Sequence, residues 1–367
     1  MRSLRVSVPA QIASIGPALA SRGLALNLRD QFLLEPLASS QVSVSVLGRE
    51  KNSQPSDERN LVISALHATQ DYLGLAHFGV RLSVDSFIPR QRGLGSAVAS
   101  VAAGVAGALA FSQHSPQIGT DDFRHLLFDL TTRLLSRPVG AGTAIYGGLT
   151  NVWHTDPRYD IPHSVVTTGA VTVTQRAFAS TYHSGWHASS IALDPAIDAY
   201  IFLPLSARDP SLTPVPNDVA PLLHRDPALD MLRREAGLRP EVPTDMLVSS
   251  LTRAALLAPL LVGPHTTATN EKLFEATQPD ITLDRLRSLM PDAVQLCEHL
   301  RSLGYAAFIC GKGPSVGVLR AGTDDVALTA ARLRGLTASE WLAGGRWSMV
   351  HIPLSSQGIE VDPLDEP

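Results

Sequence analysis

The run Pro89-Arg90-Gln91-Arg92-Gly93-Leu94-Gly95-Ser96 combines two glycines with two guanidinium groups, directly before the small-residue stretch Ala97 to Phe111. Glycine lets the backbone approach a ligand closely. A helix that starts here would offer unpaired N–H groups and the positive end of its dipole to a phosphate. The spacing fits neither a Walker loop nor a dinucleotide-binding fingerprint. On residue types alone, a phosphate cradle and an ordinary tight turn stay equally open. A second glycine run, Cys310-Gly311-Lys312-Gly313-Pro314-Ser315-Val316, lies near the other end of the chain. Cys310 has no nameable histidine or asparagine partner, so packing is the better reading of it. His183 and His187 are four residues apart but have no carboxylate beside them, and they read as surface residues, not a metal site.

Hydrophobic periodicity supplies the elements that would position these loops. Leu4 to Val8, Gly23 to Leu34, Gln41 to Leu47, Val80 to Val84 and Gly147 to Trp153 read as strands. Asn60 to Leu73, Ala97 to Phe111 and Phe123 to Leu135 read as helices. Asp156 to His163 is polar, carries two prolines and reads as a linker between domains 1–160 and 161–367. Beyond it, Val165 to Val173, Ala199 to Leu205, Tyr305 to Cys310, Ser315 to Leu319 and Trp347 to Pro353 are expected strands. Ala207 to Asp218 is an expected loop. Met246 to Leu261 and Ala293 to Leu303 are expected helices, the first as core packing, and the acidic tail from Asp362 is expected to fray. Strands and helices alternate without a βα rhythm, which favours an α+β class.

Composition bounds the rest. With 367 residues, two domains are the default. Hydrophobic residues make up 44% and charged residues 17%, as in a soluble globular protein. A net charge of −4 leaves no basic footprint for nucleic acid. Two cysteines do not make a disulfide framework, so a reducing, cytoplasmic setting is expected. The basic start and the apolar run Val6 to Ala20 resemble a leader, but Pro9, Gln11, Ser14 and Pro17 interrupt it, and a strand is the better reading. No stretch is read as a membrane span. Ala97 to Phe111 comes closest and is expected to be a buried helix.

The glycine loops then join a larger pattern. Residues 89–96 resemble the second motif of the GHMP kinase superfamily, which in homoserine kinases reads P-x-x-R-G-L-G-S-S. Pro9-Ala10-Gln11-Ile12-Ala13-Ser14-Ile15-Gly16-Pro17, continuing to Gly23-Leu24-Ala25-Leu26, is similar to that family's start, P-A-T-S-A-N-L-G-P-G-F-D-S-L-G-L-A-L. Residues 310–316 resemble its third motif, S-G-A-G-P-T-V. Pro138 to Leu149 and Ser250 to Leu257 match two further segments in part. The resemblance implies a GHMP fold: an N-terminal α+β domain with a left-handed βαβ unit, and a ferredoxin-like C-terminal domain. It implies ATP and magnesium as cofactors, a small-molecule acceptor between the domains, and a homodimer. It puts Pro89, Arg92, Gly93, Leu94, Gly95 and Ser96 at the nucleotide, and Ser14, Gly16, Ser21, Gly140 and Gly313 at the substrate.

Departures from the pattern fall on its chemistry. Ala97 stands where the family has a second serine, and Leu135 where it has a metal-binding glutamate, so neither offers magnesium an oxygen. On the acceptor side Ala20, Ser14, Arg137 and Gly140 replace an aspartate, an asparagine, a histidine and a second asparagine. Arg90, Arg92, Arg137 and Lys312 map around the phosphate region. Arg137 and Lys312 are therefore the candidate catalytic cations, with an anionic substrate. Three functions stay open: a kinase with an altered acceptor that is not a true homoserine kinase, a non-kinase enzyme on the same fold using another anion such as phosphoribosyl pyrophosphate, and a pseudokinase that senses a metabolite.

Overall fold

The computed structural model describes residues 2–18, 21–48, 51, 54–112, 115–154, 185–205, 243–266, 268–279, 283–322 and 326–364. The first sheet is built on β1 (Leu4–Ala13) and β2 (Arg22–Leu37), an antiparallel pair whose register shifts between Pro9 and Ala10. β3 (Val42–Gly48) and β4 (Gly79–Ser86) pair in parallel, joined through helix α1 (Leu61–Leu73). This is the βαβ unit, and its helix covers the sheet. Asn60 caps α1 by accepting from the Val62 N–H, and Gly74 closes it in the left-handed conformation. β5 (Leu149–His154) pairs with β2, and β6 (Trp186–Ile191) pairs with β5.

Helix α2 (Ser96–Ala110) is buried nearly all round, as its Ala/Gly-rich sequence leads one to expect. Small side chains let α1 pack closely on one side of it, while α3 (Asp121–Leu135) lies on another. α3 ends at Ser136 in the left-handed conformation, and α4 (Pro138–Tyr146) starts after Arg137 with Pro138 in its first turn. The sequence reading has no helix over 138–146, because Pro138 and two glycines there mask a short, almost wholly buried helix.

The second sheet has the order β10 (Trp347–Pro353), β7 (Ile197–Pro204), β9 (Val316–Ala321), β8 (Ala306–Ile309), and all its pairs are antiparallel. Helix α8 (Pro291–Ser302) precedes β8, and α9 (Val326–Thr337) lies between β9 and β10. That succession of strands and helices with this order is the ferredoxin-like arrangement implied by the sequence. One face of the sheet, with Tyr200, Phe202, Ile309 and Val318, packs on these helices around Leu296, Leu300 and Leu333. The other face, with Ile201, Phe308 and Leu319, joins the core of the first sheet. Short helices α6 (Thr269–Ala276) and α7 (Leu283–Leu289) lead into α8.

Three expectations change. The segment from Asp362 is not frayed through residue 364: β11 (Glu360–Pro363) pairs with β1, Asp362 opposite Arg5, and Arg29 bridges to the Gly358 carbonyl (2.8 Å) and the Glu360 carboxylate (3.5 Å). Backbone pairing and a cation outweigh the polarity of that stretch. Second, α5 (Thr244–Val262) is not core packing. It buries Ser250, Leu257 and Leu261, and Arg22 donates to its Ala254 carbonyl, but Leu247, Val248 and Leu251 are exposed among the described residues. Third, a membrane-length apolar helix exists after all: α5 has 19 residues and a mean hydropathy of 1.5 over its most apolar window. Its buried stripe lies on the protein. The expected linker Asp156 to His163, strand Val165 to Val173 and loop Ala207 to Asp218 lie outside the described residues.

The entrance to the glycine loop is held by one carboxylate. Asp30 is buried on β2, and its Oδ1 accepts from the N–H groups of Phe87 (2.7 Å) and Ile88 (2.8 Å). Charge-assisted bonds of this kind are shorter and stronger than neutral ones. Asp30→Ala would strand two amides and is expected to lower stability by about 2–3 kcal/mol, read as a fall in the thermal unfolding midpoint. Asp30→Asn, which keeps the acceptor, should lose less.

Candidate active site

The loop after β4 turns through Gln91 (φ 54), Gly93 (φ 74) and Gly95 (φ 85) before α2 begins at Ser96. Gly95 is the N-cap, and no side chain caps this helix start. Its first turn carries no acidic residue. The first N–H groups of α2 are therefore available for an anion, with the helix dipole behind them. Pro89 and Ser96 flank the turn, Pro89 half-buried before it and Ser96 buried as the first helical residue.

The three sequence motifs meet here. A Cβ at Gly93 would stand 2.4 Å from the Cys310 carbonyl oxygen and 2.6 Å from that of Gly313. Both the positive φ and this contact require glycine. One at Gly311 would stand 3.2 Å from the Gly93 carbonyl and 3.3 Å from that of Ala13. The turn of residues 310–315 is closed by the Gly313 N–H on the Cys310 carbonyl (2.8 Å) and the Cys310 N–H on the Ser315 carbonyl (2.9 Å). Gly313 has φ 81 and lies against Met290, so its role is backbone shape. Lys312 is exposed at the tip of this turn.

Other expected site residues divide between loop and frame. Leu94 points into the core, fully buried, and its carbonyl accepts from the Gln11 N–H (3.1 Å). Arg92 ties the loop to the second sheet: its Nε donates to the Pro204 carbonyl (2.8 Å) at the end of β7. Arg137 is the half-buried N-cap residue of α4, whose first turn also lacks a side-chain cap, and Gly140 is buried in that turn. Ser14 sits in the left-handed region (φ 62), its N–H on the Arg22 carbonyl (2.8 Å). Gly16 packs against Thr277 at the end of α6. Ser21 is half-buried, and its carbonyl accepts from the Val152 N–H (2.8 Å). The glycine loop, residues 310–313, Gln11 and Gly140 thus come together. Gly16 and Ser21 lie on the β1–β2 connection, where Gly16 meets α6 and Ser21 meets β5. Ala20 lies outside the described residues.

The donor set does not fit a magnesium ion held by side chains. Ala97 is half-buried in the first turn of α2, and Leu135 is 1% exposed within the main core. Asp129 is buried on α3; burial raises the Tyr146 hydroxyl, and the negative charge of Asp129 adds to that rise. Tyr146 closes the C-terminal end of α4, whereas Arg137 and Gly140 are at its other end. Among the described residues no three histidines, cysteines or carboxylates cluster as a metal site.

Sequence reasoning missed Gln11, Asp30 and Thr277. Gln11 carried a signal: an amide between Ala10 and Ile12 in a strand that is apolar on both sides.

Comparison with known proteins bears on this arrangement. Residues 60–148 match the family model described as GHMP kinases N terminal domain. The chain is 26% identical over 370 residues to a homoserine kinase of Clavibacter michiganensis subsp. michiganensis, with 100% of this chain and 96% of that protein covered. A homoserine kinase of Streptomyces coelicolor is 28% identical over 365 residues, covering 99% and 95%. Among solved structures, homoserine kinase from Cytophaga hutchinsonii superposes with a TM-score of 0.64 at 16% identity, covering 99% of this chain and 98% of that one. A mevalonate kinase superposes with a TM-score of 0.59 at 11% identity, covering 96% and 99%.

Two outcomes follow from the geometry. Gly93→Ala forces a methyl against two carbonyls at a positive φ. It is expected to lower stability by about 2 kcal/mol or more, with a lower unfolding midpoint as the readout. Cys310 and Cys297 are fully buried, and desolvation raises both thiols, that of Cys297 to about 12. Both stay protonated in the folded chain where an unfolded thiol ionises near 9.0. Their contribution to stability is whole below that pH and falls as pH rises above it. Neither should react with a disulfide reagent at pH 8 until the chain is unfolded, as counted by released chromophore.

Proposed function

Because the chain is a homoserine kinase-like member of the GHMP kinase superfamily, we propose that it transfers the terminal phosphoryl group of ATP to a hydroxyl of a small anionic metabolite. The observation that carries this reading is the open start of α2, an uncapped helix N-terminus with positive-φ glycines before it, set against the turn of residues 310–315. That surface can bind a phosphate chain through backbone N–H groups alone. Phosphoryl transfer asks chiefly for positioning and charge neutralisation. Arg137 at the start of α4 and Lys312 at the tip of the turn are the side chains proposed to supply cationic charge.

Magnesium enters this reading only as part of the nucleotide substrate, since Ala97 and Leu135 bring no ligand oxygen. Pro89, Arg92, Gly93, Leu94, Gly95 and Ser96 shape the nucleotide side. Arg92 and Leu94 act through the frame, by clasping Pro204 and filling the core. Ser14, Gly16, Ser21, Gly140 and Gly313 border the acceptor side. The two sequence relatives named above are homoserine kinases. Gly140 and Arg137, where the homoserine kinase pattern has asparagine and histidine, favour an acceptor other than homoserine, in a cytoplasmic homodimer.

A second reading is favoured by one observation. Leu135 is sealed into the core at 1% exposure, so no small shift brings an oxygen to that position. A cationic site without a protein-held metal would suit an anion such as phosphoribosyl pyrophosphate in a reaction other than phosphoryl transfer.

Calorimetric titration of ATP with and without magnesium separates the two. Magnesium-dependent binding in the micromolar range is the expected result, and Lys312→Ala should weaken it about threefold to tenfold. Absence of binding in both conditions overturns the kinase reading and turns attention to phosphoribosyl pyrophosphate.

A further inference from the structure

Gln11 is a buried polar side chain that lies between the starts of α2 and α4. It is 2% exposed on β1, and its backbone N–H is held by the Leu94 carbonyl (3.1 Å). Its side chain runs across Gly95, the N-cap of α2. A Cβ at Gly95 would lie 2.3 Å from the Gln11 Nε2 and 2.4 Å from its Cγ. The carboxamide then reaches the first turn of α4, where a Cβ at Gly140 would lie 3.3 Å from Nε2. Two glycines therefore leave the space that this amide fills. The amide oxygen, Oε1, is buried and has no hydrogen-bond partner.

A buried amide oxygen without a partner forfeits the hydrogen bonds it had in water. Native chains rarely leave one without a reason. A purely structural filler of this space would be served better by leucine or methionine, which have similar volume and no acceptor. The surroundings state what the amide waits for. Oε1 accepts and cannot donate, so its partner is a hydroxyl or an ammonium group. The N-termini of α2 and α4 have no side-chain cap and no acidic residue in their first turns, so both favour an anion beside them.

We propose that Gln11 is a specificity-determining residue: its carboxamide oxygen accepts a hydrogen bond from a hydroxyl or ammonium group of a carboxylate-bearing small molecule seated between the starts of α2 and α4. The proposal deepens the acceptor side of the kinase reading and rests on it for the identity of the site. It excludes acceptors that are apolar on the face toward β1.

The test uses the full chain and a fixed panel: L-homoserine, L-threonine, L-serine and D-glycerate, each titrated with MgATP present and absent. Unfolding midpoints and calorimetric Kd values are recorded. The expected result is that at least one panel member binds the wild type. Gln11→Met, which keeps the volume and removes the acceptor, should weaken that compound about tenfold. It should leave MgATP within about twofold and keep or raise the unliganded midpoint, since an unpaired buried acceptor is gone. Gln11→Glu keeps an acceptor oxygen and should hold the compound more tightly than the methionine variant does.

A methionine variant that binds the compound as the wild type does would overturn the proposal and make Gln11 a packing group. Binding of MgATP with no response to any panel member would overturn the ligand class. Failure of MgATP alone, with a panel compound still bound and still weakened by Gln11→Met, would retire the kinase reading and leave this inference standing.

Discussion

The arrangement depends on one steric constraint, the contact of Gly93 with the carbonyls of Cys310 and Gly313. It is the place where the helix-start loop of the first sheet meets the turn of the second, with no room for a methyl group. Everything that could bind an anion is set from that contact. The loop's entry is fixed by Asp30, its exit is α2, and its outer side is clasped to β7 through Arg92 and Pro204. The main core is shared between the two sheets, with Phe308 and Leu319 of the second packed on the first. The loop and the turn are therefore positioned by one continuous packed body. A backbone held in this way can present N–H groups without reorganisation when a phosphate arrives, which is the form of preorganisation that phosphoryl chemistry rewards.

Side chains at the same place tell a different story from the backbone. The glycine loop, the uncapped start of α2 and the turn of residues 310–315 are present, while the positions that the family pattern gives to magnesium ligands hold Ala97 and Leu135. Leu135 is not merely a missing oxygen. Its side chain has become part of the core between α3 and the sheet, so the vacancy was filled with packing. Cations remain at the start of α4 and on the exposed turn. In the function proposed above, dipoles and point charges would hold the anion, with no side-chain oxygen ligand at either position.

Much of this was legible in the sequence, and the reasons differ by element. Strand 41–47 and the helices 60–73 and 123–135 are legible because apolar side chains recur on one side and leave a period to read, and strands 4–8 and 23–34 are legible from their apolar content. The glycine loops are legible because a positive φ and a close approach admit few other residues. Helix 138–146 was hidden because complete burial erases the amphipathic period and leaves proline and glycine as the visible letters. Strand 360–363 was hidden because it is held from outside, by β1 and by Arg29, with little in its own residues to declare it. Gln11 was passed over because its importance is relational: it exists in the gap between Gly95 and Gly140, residues far away along the chain. The exposed side of α5 shows the opposite error, since apolar letters were read as core when only one stripe of them is buried.

The pairing of β11 with β1 has a consequence for how this molecule comes into being. Leu4 opposes Pro363 across an antiparallel ladder, so one edge of β1 is closed by a segment that lies far along the sequence. Strands β2 through β5 can assemble around β1, yet one side of β1 stays an open edge until β11 pairs with it. Open strand edges invite pairing with other chains. Contacts of such long sequence separation also slow the final step of folding. Until residues 360–363 close that edge, a partly folded chain exposes a template for association.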